Sequence, residues 1–214
     1  MKELEELIIR AIFNKAKELQ EDRSDTIHVT DLTGCIRKSY YIKKHGFPLD
    51  EKMAFWLIFG ALVHDMLTPV IAEHLNGERE VRTVYEYKGV EIQATVDVLA
   101  EDVVVELKTC NKIPYQPYQS HIEQINAYMH FFDVPLGIIV YVSRTQLGVK
   151  IFEHYGDWQL LQYTLDKAII LNNALENNTP PPCNLPLAER KFYCRECYFK
   201  TQCLSDSEML DLLE

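Results

Sequence analysis

The chain has 214 residues, 47% of them apolar, and a formal net charge of −10. This length and composition fit one large globular domain, or a domain with an appended lobe, with its own core and no low-complexity tract. The acidic balance argues against a broad nucleic-acid-binding surface, which is usually basic, but leaves open a local basic patch or a metal-centred site.

The start, MKELEELIIR, is acidic and amphipathic and lacks an apolar signal core. Together with the absence of any run judged long and apolar enough to span a membrane, this predicts a cytoplasmic protein with no membrane partner. Leu4, Leu7, Ile8, Ala11 and Ile12 recur at helical spacing, so the first twenty residues are expected to form an amphipathic helix. Thr30 is a candidate N-cap for a second helix running through Lys44, which carries a basic patch of Arg37, Lys38, Lys43 and Lys44. A third helix, from Met53 to Leu75, is apolar on nearly all sides and is expected to be buried, with a bend at Pro69.

The period then changes from helical to alternating. Val81–Tyr87, Val90–Leu99 and Val103–Thr109 are predicted strands, with a turn at Lys88-Gly89. Pro117–Phe132 is predicted helical, Leu136–Ser143 and Val149–Glu153 are strands, and Trp158–Asn177 is a helix. Asn177–Pro186 is rich in Asn and Pro and reads as a loop, and the tail FYCRECYFKTQC is too dense in cysteine for an ordinary element. The order predicts an α/β fold with a mixed central sheet flanked by helices.

The stretch VVVELKTC, residues 103–110, reads as a buried strand that carries two opposite charges. Alternation puts Glu106 and Lys108 on one face and Leu107 on the other. A short turn around Glu101-Asp102 gives a pairing register whose residue numbers sum to 203, which sets Asp97 opposite Glu106. Two carboxylates that close repel unless a cation lies between them. With a backbone carbonyl and water they form a hard oxygen site for magnesium or manganese, and Lys108 could orient the water or stabilise developing negative charge. Taken alone, Glu106 and Lys108 read first as a structural ion pair in the sheet, because the motif is short and common. His64, in GALVHD, taken alone reads as a core histidine, and Gln124 and Tyr128, in QINAY, as a polar helix stripe. His28, His74, His121 and His130 show no comparable partner and read as structural or exposed.

Cys194, Cys197 and Cys203 form C-x2-C-x5-C, a ligand pattern one residue short of four. In a reducing compartment such a group indicates metal or cluster binding rather than disulfides. The candidates for the fourth position are Cys35, Cys110 and Cys183. Four thiolates suit zinc or an iron–sulfur cluster, although a zinc ribbon usually shows two close pairs.

In chain order, Cys35, His64, Asp97, Glu106-Leu107-Lys108, Gln124-x3-Tyr128 and C-x2-C-x5-C resemble the RecB-type nucleases of the PD-(D/E)xK superfamily. More closely the set is similar to the small Cas nucleases of CRISPR systems that carry an iron–sulfur cluster. The resemblance implies one nuclease domain over 1–214, with an N-terminal helical part (1–79), a nuclease core (80–177) and a C-terminal iron–sulfur module (178–214) completed by Cys35. It implies that Asp97 and Glu106 bind Mn2+ or Mg2+ with His64 and the carbonyl of Leu107. Lys108 would be the catalytic lysine, with Gln124 and Tyr128 beside it as the helix motif of the site. Cys35, Cys194, Cys197 and Cys203 would hold the cluster, which is [4Fe–4S] in most members and [2Fe–2S] in some. Members cut single-stranded DNA and trim new spacers, working with the Cas integrase, and related copies occur in archaeal viruses and outside CRISPR loci. Two features depart from the pattern: QATVDVL lacks the glycine often found shortly before the aspartate, and Cys183 is extra. The competing functions are a non-catalytic DNA-binding or scaffolding subunit with the same fold, and a zinc-ribbon regulator.

Overall fold

A computed structural model of the chain describes residues 2–20, 25–146, 148–186, 190 and 193–205. Helix α1 (Lys2–Leu19) packs against α4 (Glu51–Leu75). Between them lie strand β1 (Ile27–His28), the single turn α2 (Val29–Leu32) and α3 (Ile36–His45). The expected second helix is therefore two pieces. Gly34 has φ +88, a left-handed conformation that an L side chain resists, and it breaks the helix so that Cys35 becomes the N-cap of α3. Helix α4 begins at Glu51, two residues before the expected start, because Asp50 caps it by accepting from the Met53 N–H at 2.7 Å.

Two expectations for α4 do not hold. It is long and apolar enough, by length and composition, to cross a membrane. It is also not wrapped in protein, since Phe55, Leu62, Met66 and Val70 are exposed. One stripe of α4, with Val63 and Ala72 buried and Phe59, Leu67, Ile71 and Leu75 partly so, packs on the sheet, so the helix covers one face rather than filling a core.

Strands β2 (Glu78–Tyr87), β3 (Val90–Ala100), β4 (Val103–Cys110), β5 (Leu136–Ser143) and β6 (Val149–Tyr155) complete a mixed sheet ordered β1-β3-β4-β5-β6, with β2 also on β3. The pair β4–β5 is parallel and is joined through α5 (Gln119–Phe132), as a parallel connection requires. Gly137 on β5 lets α5 approach closely: a Cβ there would stand 2.6 Å from Ile125 Cγ1 and 2.7 Å from Met129 Sδ. Helix α6 (Trp158–Glu176), capped by Asp157 through the Gln159 and Leu160 N–H groups, covers the same face as α5. The short α7 (Lys200–Ser205) ends the described chain.

The sheet thus has a core on each face. Val98, Val103, Val105, Leu107 and Val140 pack under α4. Ile92, Ala94, Val96, Val104 and Ile139 pack under α5 and α6. Val96 and Val98 are two residues apart and on a regular strand would share a face, yet they enter different cores, so β3 turns over at Asp97. Across from Asp97 in β2, the Arg79↔Val98 and Val81↔Val96 pairs leave out Glu80, whose φ is +52.

Candidate active site and cysteine site

The β3–β4 register sums to 203, as the turn length requires: Ala100↔Val103, Leu99↔Val104 and Val98↔Val105. The ladder stops there, one step short of Asp97 and Glu106. From that point β4 continues on β5 alone, through Cys110↔Ser143, while β3 takes up β1 at Ile92 and Gln93. The two strands splay, and the site forms in the wedge.

Side chains fill the wedge. Asp97 Oδ2 accepts the Leu107 N–H at 2.7 Å, which replaces a ladder bond. Asp97 Oδ1 lies 3.2 Å from His64 Nδ1, so α4 reaches the site through one residue. On the other strand, Lys108 Nζ donates to Glu106 Oε1 at 2.7 Å and to Gln124 Oε1 at 2.8 Å. Gln124 Nε2 donates to Glu106 Oε1 and to Tyr128 Oη, each at 2.8 Å. The amide orientation is fixed by this network, because reversing it would aim its N–H groups at the Lys108 ammonium. Leu107 has its side chain in the α4-facing core and its N–H on Asp97.

Electrostatics follow burial. Burial pushes the Glu106 carboxyl up to about 7, with Lys108 opposing and the Asp97 charge adding to the rise. Burial pulls His64 down, but its hydrogen bond to Asp97 and the charges of Asp97 and Glu106 outweigh this and raise it above its ordinary value. Among the described residues no three His, Cys, Asp or Glu side chains form a finished metal-binding group. Glu106 Oε2, however, is buried without a hydrogen-bond partner. An orphaned carboxylate oxygen beside a second carboxylate and an imidazole is a donor set that a hard divalent cation would satisfy.

Several residues lie differently from their reading in the sequence. Tyr128 is only 3% exposed, so it belongs to the buried network and offers no open ring. Exposed aromatics instead stand in the loop between β4 and α5, where Tyr115 is 93% exposed and Tyr118 is partly so. The basic patch is halved, with Lys38 and Lys44 exposed but the other two withdrawn. Arg37 is buried and donates to Pro181 O and Cys203 O, and Lys43 pairs with Asp31 at 2.9 Å. His121 does have a partner, Tyr141 Oη at 2.6 Å, and burial together with Lys108 lowers it to about 3. Beside Gln124, Glu123 forms a buried ion pair with Lys167 at 2.7 Å. Lys167 sits within the apolar period of α6, which gives no sign of a charge.

The cysteines gather at the other end of α3. Cys110 is not among them, since its thiol is buried against Val142 O. Phe199 stacks on Tyr41 at 5.6 Å, and Tyr41 Oη donates to Gln202 O, so the C-terminal segment docks on α3. Cys35, Cys194 and Cys197 line one cavity of about 1120 Å3. Cys203 lies within electrostatic reach of Cys197 and Cys183. The neighbouring Cys183 thiol and burial push Cys35 up, while Cys35 pulls Cys183 down to about 6. A soft set of thiols around one cavity fits an iron–sulfur cluster by donor chemistry.

Residues 63–151, which include the split between the strands, match the PD-(D/E)XK nuclease superfamily. That segment contains His64, Asp97, Glu106, Lys108, Gln124 and Tyr128. The chain is 25% identical over 202 residues to the CRISPR-associated exonuclease Cas4 of Saccharolobus solfataricus, covering 87% of this chain and 94% of that protein. The crystal structure of SSO0001 superposes with a TM-score of 0.69 at 21% identity, over 95% of this chain and 98% of that one. The alkaline exonuclease LHK-Exo of Laribacter hongkongensis shares the fold more distantly, with a TM-score of 0.51 at 11% identity over 79% of this chain and 93% of that one.

Proposed function

We propose that the protein is a metal-dependent DNA nuclease that hydrolyses phosphodiester bonds in single-stranded DNA, chiefly from an end. The observation that carries this reading is the buried, partnerless Glu106 Oε2 at the split between β3 and β4, with Asp97 and His64 beside it. Asp97, Glu106, His64 and the Leu107 carbonyl would hold Mn2+ or Mg2+. Such an ion lowers the pKa of a water and neutralises phosphate charge.

The chain's own residues supply positioning. Gln124 locks the Lys108 ammonium in place, where it would stabilise charge developing on the phosphate. Tyr128 holds Gln124 from behind. Tyr115 and Tyr118 offer rings for unpaired bases, which favours single strands over duplex. Cys35, Cys194, Cys197 and Cys203 would hold an iron–sulfur cluster that ties the C-terminal segment to α3.

The likeness to the Cas4 exonuclease supports a role in CRISPR spacer acquisition beside a Cas integrase, in the cytoplasm. The test is cleavage of end-labelled single-stranded DNA with manganese or magnesium, against the same reaction in EDTA. Activity undiminished in EDTA overturns the metal mechanism. Binding without cleavage at any metal concentration assigns the protein to the DNA-binding scaffolds instead.

A further inference from the structure

We infer that Cys183 is a fifth thiol of the cysteine site, held at the same corner as Cys35, where either thiol could serve as the fourth ligand of a bound cluster. The inference rests on the cluster reading above and goes beyond it, since a four-cysteine pattern has no use for Cys183.

The placement is built rather than incidental. Cys183 follows Pro180, Pro181 and Pro182, which restrict the backbone leading to it. The next residue, Asn184, brackets Cys35: its Nδ2 donates to Gly34 O at 2.7 Å and its Oδ1 accepts the Ile36 N–H at 3.0 Å. The residues on both sides of Cys35 are therefore tied to the residue after Cys183. The loop is pinned twice more. Arg37 Nη1 donates to Pro181 O at 3.1 Å, and Arg190 Nη2 donates to Cys183 O at 3.1 Å. Together these bonds hold Cys183 beside Cys35. Asn184, the residue after Cys183, lines the same cavity as Cys35, Cys194 and Cys197. A cluster held at this corner would find a second soft sulfur donor beside Cys35.

The test uses the full chain, reconstituted anaerobically with iron and sulfide. Cys35→Ala, Cys183→Ala and the double variant are compared with the unaltered protein by iron content, visible absorbance, the electron-spin signal of the reduced cluster and thermal melting. Each single variant is expected to keep most of its iron and colour, with a changed spin signal in Cys35→Ala, and the double variant to lose most of both. Cys35→Ala as poor in iron as the double, with Cys183→Ala indistinguishable from the unaltered protein, overturns the inference. Unaltered protein that takes up no iron overturns the cluster reading itself, a separate result. A second measurement does not depend on variants folding. Dibromobimane, which bridges neighbouring thiols, should join Cys35 to Cys183 in the iron-free protein, and a bridge to any other cysteine in its place overturns the geometry.

Discussion

The Leu107 N–H donates to Asp97 Oδ2 at 2.7 Å, where a regular antiparallel ladder would have had it face a backbone carbonyl. This one bond lets two neighbouring strands separate without leaving a buried donor unpaired. It also anchors Asp97 at the point where β3 turns over. The chemistry proposed for the site depends on that separation, because a continued ladder would fill the wedge with backbone.

Glu106→Gln keeps the shape of the side chain and its contact with Lys108 but removes the charge. Cleavage should fall by at least about 100-fold, the scale of losing one group that stabilises transition-state charge. Burial of an ionised carboxyl is relieved, so the melting temperature of the metal-free variant should equal or exceed that of the unaltered protein. A variant that cuts normally removes Glu106 from the mechanism.

The cysteine site and the nuclease site should separate. Cys194→Ala should bleach a reconstituted protein and lower its melting temperature, because the C-terminal segment loses its tie to α3. Glu106→Gln should keep the full visible spectrum. Bleaching in Glu106→Gln would show that the two sites are coupled.

Two tyrosines should divide by exposure. Tyr115→Ala should weaken binding of single-stranded DNA by roughly 1–3 kcal/mol if its ring carries a base. Tyr128→Phe should leave binding unchanged and reduce cleavage, since its hydroxyl accepts from Gln124 in a buried position. Fluorescence anisotropy and end-label assays on the same samples distinguish the two.

Glu123→Ala leaves Lys167 buried at 3% side-chain exposure without its carboxylate. Destabilisation of about 3–5 kcal/mol is expected, as for other broken buried ion pairs. Denaturant unfolding measures it. A loss within the surface-pair range would mean that water reaches Lys167.

The pH dependence of stability should carry the sign of His121. Its folded value is lowered to about 3, against 6.5 for a free imidazole. Below the free value the unfolded chain takes up a proton that the folded chain refuses. Its contribution is therefore intact above about pH 6.5 and is lost as pH falls toward about 3. The unaltered protein should lose melting temperature over that range more steeply than His121→Gln, and identical slopes would place His121 in contact with solvent.

What the sequence determined by itself is local and periodic. Alternation in VVVELKTC placed Glu106 and Lys108 on one face, because a strand repeats every two residues. Four-residue spacing placed Gln124 above Tyr128, because a helix repeats every 3.6. The two-residue turn set the β3–β4 register, since turn length fixes register. What the tertiary structure decided is where these regularities stop. The splaying of β3 from β4 and the turn-over of β3 at Asp97 come from packing on both faces of the sheet, which no short window contains. The same holds for charge. Arg37 counts as positive surface in a composition, but the loop at Pro181 and the segment at Cys203 close over it from more than 140 positions away. The placement of Cys183 beside Cys35 arises the same way, from hydrogen bonds of Asn184 to backbone that is distant in sequence and adjacent in the fold.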